Sequence, residues 1–218
     1  MKALRLVFSN MRYFTPVFLF ATLNIVFGTW AIYIPQITAK LQISEGMLGF
    51  AVFFMALGTL ATIPFVPRII KFLELGKTTL LAICGFCIVF IGPFLAPTYT
   101  LLCAALFVVG VFSGLLDVSI NTLVTELEKK DKIHFMSVSH GFFSLGGMLG
   151  AGIGTVLLPY IAMPWYHMAG VIVLLVLANI GLSKNYLHLR NVHEEEETKF
   201  KLKNLRPLVG LAVIGFLV

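Results

Sequence analysis

The sequence predicts an all-α membrane protein, a bundle of six transmembrane helices. Three observations carry that reading. Of the 218 residues, 59% are hydrophobic and only 12% are charged, against a charged share of about 25% in ordinary soluble domains. The mean hydropathy is +0.96. Apolar stretches long enough to cross a hydrocarbon core ~30 Å thick, at ~1.5 Å per residue, recur six times between prolines and charges. So little polar surface does not keep a globule of this length in water, and lipid must solvate most of the chain.

The elements follow in order. Residues 1–12 form a polar tail carrying Lys2, Arg5 and Arg12. This tail is like the charged region of a signal peptide. The apolar run behind it is too long for a signal core, however, and no small-x-small cleavage site closes it. It is therefore the first retained span. The spans run over residues 13–34, 47–66, 78–96, 101–124, 139–161 and 165–182, so the bundle fills 13–183. Pro35, Pro67, Pro93, Pro97, Pro159 and Pro164 mark the breaks. Residues 184–206 read as a solvated inter-bundle loop, with an acidic run from Glu194 to Glu197 and alternating Lys199, Lys201 and Lys203. A surface-lying amphipathic stretch or a partner site are the alternatives there. Residues 207–218 start a seventh helix too short to cross a bilayer, which predicts a missing C-terminal half.

Charge sets the orientation. All 16 Lys and Arg residues except Lys40 fall in the tail or in the loops after spans two, four and six. Basic loops stay cytoplasmic, so the N-terminus is predicted to be cytoplasmic. The net charge of +6 is thereby accounted for by topology, and a nucleic-acid partner is not needed. Cys84 and Cys87 spell CxxC, but within an apolar span they read, like Cys103, as packed or lipid-facing thiols rather than a redox or zinc site. No metal or cofactor is expected.

Asp117 is the one formal charge inside the six spans. A carboxylate near the bilayer centre costs about 2.5–3.5 kcal/mol on insertion scales, so it normally faces a water-filled cavity or a partner. Ser113, Asp117 and Asn121 are spaced i, i+4, i+8 and share one polar stripe. Gly110 and Gly114 repeat that spacing on a neighbouring stripe, where another helix can approach. Gly146, Gly150 and Gly154 form a similar ridge in span five. A carboxyl group removed from water holds a proton more readily, which makes Asp117 a candidate proton carrier. The competing role is a structural hydrogen bond, and no basic partner is evident within the spans.

Other polar residues carry weaker signals. Asn24, Trp30, Tyr33 and Gln36 line either a sugar-sized cavity or, for the aromatic residues, the membrane interface. His140 is a gating residue or a helix-end histidine touching a carbonyl. Glu126 and Glu128 lie beside Lys129, Lys130 and Lys132 and are expected to form salt bridges there, while Lys77 belongs to the loop after span two. Gly110 to Gly114 reads GVFSG, one residue longer than the GxSG turn of an intramembrane serine protease, and His167 would be its base. An enzyme is not expected.

The segment Gly114-Leu115-Leu116-Asp117-Val118-Ser119-Ile120-Asn121 resembles the fourth-helix pattern of Gly, acid and Asn in the major facilitator superfamily. His134-Phe135-Met136-Ser137 and His140-Gly141-Phe142-Phe143-Ser144-Leu145-Gly146-Gly147 are similar to its fifth-helix start, and Pro35-Gln36 closes the first helix as in its members. The fucose permease-like sugar:proton symporters are the group most similar. The resemblance implies an N-terminal half built as a 3+3 inverted repeat in the inner (plasma) membrane. It also implies a cavity-facing Asp117 tied to protons, a small solute such as a sugar, and a C-terminal six-helix partner. Two departures stand out. Leu73 and Glu74 occupy the positions of an Asp and an Arg in the loop before Gly76-Lys77, and Ala31 replaces a second acid four residues before Pro35. One-site coupling and proton-independent facilitation both stay open, as does a non-transporting assembly or regulatory half-protein.

Overall fold

The computed structural model describes residues 2–189, all but the first residue of the tail and the six-span region. The expectations for the acidic run, the alternating lysines and the truncated seventh helix lie outside the described residues.

The described chain is helical throughout and contains six helices long and apolar enough to cross a membrane. The tail is itself a helix, α1 (Lys2–Ser9). Asn10 then caps the first span, α2 (Met11–Ala31), its side chain accepting from the Arg12 amide. The first span ends three residues earlier than the apolar run suggests. Pro35 does not simply terminate it but sits in the first turn of a separate helix, α3 (Ile34–Leu41), where a missing N–H costs nothing. Ser44 caps α4 (Glu45–Thr62). The chain narrows into a 3-10 turn at Ile63–Phe65 and resumes as α5 (Val66–Leu73), with Pro67 again in a first turn. The second span is thus 29 residues long rather than broken at the proline.

Glu74, at φ 68°, makes the sharp corner into α6 (Leu75–Val89), and α7 (Gly92–Leu95) completes the third span. Thr98 caps α8 (Tyr99–Asp131), a helix of 33 residues. At ~1.5 Å per residue it is about 50 Å long and overshoots the hydrocarbon core. The expected end at Val124 marked where the apolar run stops. The helix does not stop there, because Glu126, Glu128, Lys129 and Lys130 are good helix formers. A left-handed Lys132 closes it. The fifth and sixth spans are α9 (Met136–Leu157) and α10 (Pro164–Leu182).

Packing is built on two pairs, α2 with α9 and α4 with α8. If helices one to three are mapped onto four to six, the first pair becomes the second. Because successive spans alternate in direction, the mapped halves run inverted. Both pairs approach at backbone distance through glycines. A Cβ on Gly110 or Gly114 would meet the carbonyl of Met55 or Thr59 of α4, and one on Gly146 or Gly150 would meet that of Ala21 or Ile25 of α2. The expected close-approach stripes are therefore the actual seams. The core is centred on α2, where 67% of the most apolar 18 residues are buried, against 22% in the second span and 17% in the fifth. Those two outer spans turn residues such as Phe53, Leu60, Met148 and Val156 outward.

Beyond the sixth span the chain stays with the bundle instead of leaving at residue 184. Tyr186 and Leu189 are buried, and the Gly76 amide donates to the Leu189 carbonyl at 3.1 Å. Gly76 is needed there because the backbone of Tyr186 and Leu187 occupies the space of a Cβ.

Candidate functional site: a groove along the fourth span

The seam between α4 and α8 is set by two glycines of α8. Gly110 and Gly114 turn one side onto α4, and the Thr59 hydroxyl donates across the seam to the Gly110 carbonyl at 3.0 Å. The polar residues follow two turns on, Asp117 and Asn121 standing seven residues after Gly110 and Gly114 and so on nearly the same face of α8. Asp117 is exposed there, and Asn121 one turn on donates its amide to Asp117 Oδ1 at 3.1 Å and to the Asp117 carbonyl at 2.8 Å. The bond to Oδ1 orients the carboxylate, and the one to the carbonyl holds the Asn121 amide in place.

Asp117, Asn121, Thr122, Thr125, Glu126 and Lys129 line a groove of about 540 Å³. Every residue lining it belongs to α8, so the described chain supplies a single wall. The threonines spend their hydroxyl protons on their own helix, Thr122 to Val118 O and Thr125 to Asn121 O, each at 2.8 Å, and turn lone pairs outward. The wall therefore offers a carboxylate, hydroxyl acceptors and one ammonium, a set that suits a small hydroxylated or cationic molecule. Ser113, a turn before Asp117, is half-buried and does not line the groove.

The absence of a basic neighbour for Asp117 is corrected by the fold. His140, in the second turn of α9, lies close enough to act on the Asp117 charge. It is exposed, and its ring packs edge-on against Phe20 at 5.1 Å. Sequence spacing gave no hint of this pairing because 23 residues and a chain reversal separate the two groups.

The first-span candidates lie elsewhere. Asn24 donates to the Phe143 carbonyl of α9 at 2.9 Å, a helix-to-helix bond like that of Thr59. Trp30 is buried against Phe90 at the end of the third span. Tyr33, 1% exposed, shares a hydrogen bond of 3.1 Å with His167 Nδ1 of α10. The same bond commits His167 to a tyrosine. Gln36 is exposed at the opposite end of the bundle from the basic loops.

The basic end also differs from expectation. Glu128 does not pair with the neighbouring lysines. Its Oε1 accepts from the amides of Phe135 and Met136 and so caps α9, where the helix dipole favours a negative group, with His134 Nδ1 3.9 Å from Oε2. Glu126 and Lys129 face the groove instead, and Lys77 pairs with Glu74 at 2.9 Å. The strongest ion pair at this end was not foreseen. Arg12 at the start of α2 grips Asp131 at the end of α8 through two bonds of 2.8 and 3.2 Å, and the Tyr13 hydroxyl adds a third of 3.1 Å. Both charges stand at helix ends.

The comparisons agree with this architecture. The model of the Major Facilitator Superfamily matches residues 17–218. The chain belongs to the major facilitator superfamily. It is 30% identical over 131 residues to the uncharacterized transporter y4wD of Sinorhizobium fredii, covering 60% of this chain and 35% of that protein. It is 27% identical over 160 residues to an uncharacterized MFS-type transporter of Yersinia pestis, covering 73% of this chain and 42% of that protein. The chain thus spans well under two thirds of the curated relatives it matches.

Proposed function

We propose that this chain is the N-terminal half of a secondary active transporter and that α8 forms one wall of its solute path. Asp117 carries the coupling proton, and Asn121, Thr122 and Thr125 contact the solute, a small polar molecule of the sugar class. The observation that carries this reading is the placement of Asp117. An ionisable group has been kept within a span at a known energetic cost, oriented by Asn121, and left facing an open groove rather than a packed helix. The sugar assignment is supported by the similarity of the fourth and fifth spans to the fucose permease-like symporters.

His140 modulates the same carboxylate, and Glu126 and Lys129 sit at the groove's basic end, where solute would enter or leave. The distribution of Lys and Arg supports a cytoplasmic N-terminus in the inner membrane. The second wall would come from a C-terminal six-helix bundle. The first-span residues Asn24, Trp30 and Tyr33 serve packing in this reading rather than solute contact.

Uptake by the full-length protein in proteoliposomes, with and without an imposed proton gradient, tests the proposal. Gradient-driven accumulation that is lost in Asp117→Asn supports it. Uptake that ignores the gradient and survives Asp117→Asn overturns the coupling role.

A further inference from the structure

At the end of the bundle away from the basic loops lies a second pocket, of about 400 Å³, which shares no residue with the groove on α8. It is formed where α3, the end of the third span and the start of the sixth meet. Lys40, on α3, is the only Lys or Arg at that end among the described residues. Its ammonium donates to the carbonyls of Phe94 and Ala96, both at 3.1 Å. An ammonium has three N–H donors, so these two bonds fix its position and leave the third for a ligand.

The remaining lining is amphipathic. Gln36 adds an amide, Trp165 a ring and Phe94 and Leu95 apolar surface, while no carboxylate lines the pocket. Leu95 and Met163 are 52% and 50% exposed at the rim. Along the same two spans, Ile88, Leu174 and Leu177 face outward, 58%, 71% and 62% exposed, as residues bathed in acyl chains do. Trp165 and Tyr166, at the start of the sixth span, pack with their ring centroids 4.0 Å apart and their planes tilted by 35°, and such rings favour the headgroup level.

We infer that this pocket binds the phosphate of an anionic phospholipid from the leaflet opposite the basic loops. Lys40 and Gln36 hold the phosphate oxygens, Trp165 packs against the glycerol region, and the acyl chain follows the apolar rim onto the outer faces of spans three and six. A zwitterionic lipid fits less well. Its own ammonium would approach Lys40 in a pocket with no carboxylate to receive it. This inference is independent of the solute and of proton coupling.

Delipidated full chain in detergent is titrated with phosphatidylglycerol, phosphatidylcholine or inorganic phosphate and examined by native mass spectrometry. One phosphatidylglycerol is expected to be retained about fivefold better than phosphatidylcholine, the factor for one lysine at an anionic surface. Lys40→Met is expected to remove that preference and Lys40→Arg to keep it. Equal retention of both lipids overturns the inference, as does an unchanged preference in Lys40→Met. Displacement of the lipid by inorganic phosphate at matched concentration overturns the lipid assignment in favour of a free anion. If Lys40→Met melts early because it loses its carbonyl contacts, the Gln36→Leu/Trp165→Ala double variant decides. With Lys40 in place its preference is expected to remain while retention of phosphatidylglycerol falls, and unchanged retention rejects the site.

Discussion

The two helix pairs that build the bundle, α2 with α9 and α4 with α8, are packed alike and equipped differently. Each seam closes on glycines of the later helix, and each is pinned by one side chain reaching a carbonyl across it, Asn24 to Phe143 and Thr59 to Gly110. Asn24 is therefore the counterpart of Thr59, a fastener. Of the two pairs, only α4 with α8 also carries an exposed acid within a span, Asp117, two turns beyond the seam residue Gly110. The two pairs share a scaffold, and in the proposed reading one helix supplies the chemistry. Polar residues inside these spans divide into those that reach across a seam, as Asn24 and Thr59 do, and one that stays exposed beyond it, Asp117.

The comparison breaks most visibly if the two kinds of polar residue behave alike. Asp117→Asn is expected to lower gradient-driven accumulation by about tenfold or more, the scale of a proton–solute linkage, with an unchanged melting temperature. Asn24→Ala is expected to do the reverse. Uptake per folded molecule remains, and stability falls by about 1 kcal/mol, typical of an interhelical hydrogen bond. Parallel uptake and melting measurements on both variants check the contrast.

A second set sharpens the claim that the seams are equivalent. Gly114→Val and Gly150→Val each push a side chain into a facing backbone and should each cost about 1–3 kcal/mol in detergent unfolding. Gly152, with nothing within 4 Å of a Cβ, is the control. Its replacement by Ala should leave stability unchanged or raise it by up to about 1 kcal/mol through helix propensity. The smallest effect belongs to the clamp at the basic end. Arg12→Gln removes a pair whose side chains are 27% and 21% exposed, and should cost no more than about 1 kcal/mol, with the loss shrinking in high salt.

Much of this was legible in the sequence because bilayers impose simple rules. Apolar length marked the six spans, and the i, i+4 glycines marked both seams. The Ser113–Asp117–Asn121 stripe marked a polar face, although only its last two members reach the groove. Legibility failed where contact depends on chain reversal. His140 near Asp117, Arg12 on Asp131 and Tyr33 on His167 are pairs between distant helices, and no local spacing encodes them. It also failed at helix ends, since hydropathy reports where lipid contact stops, and α8 runs on past that point to Asp131. Asn24, Trp30 and Tyr33 looked available in sequence because burial by other spans is invisible along a single helix.

In the proposed reading Asp117 is a proton carrier and not a fastener. Proton movement itself tests this most directly. Full-length protein in liposomes is given solute without any imposed gradient, and external pH is followed. The account predicts alkalinisation on solute addition that is absent in Asp117→Asn, with Asn24→Ala unaffected. Equal alkalinisation in Asp117→Asn, or solute entry in the unaltered protein with no proton movement, would contradict it.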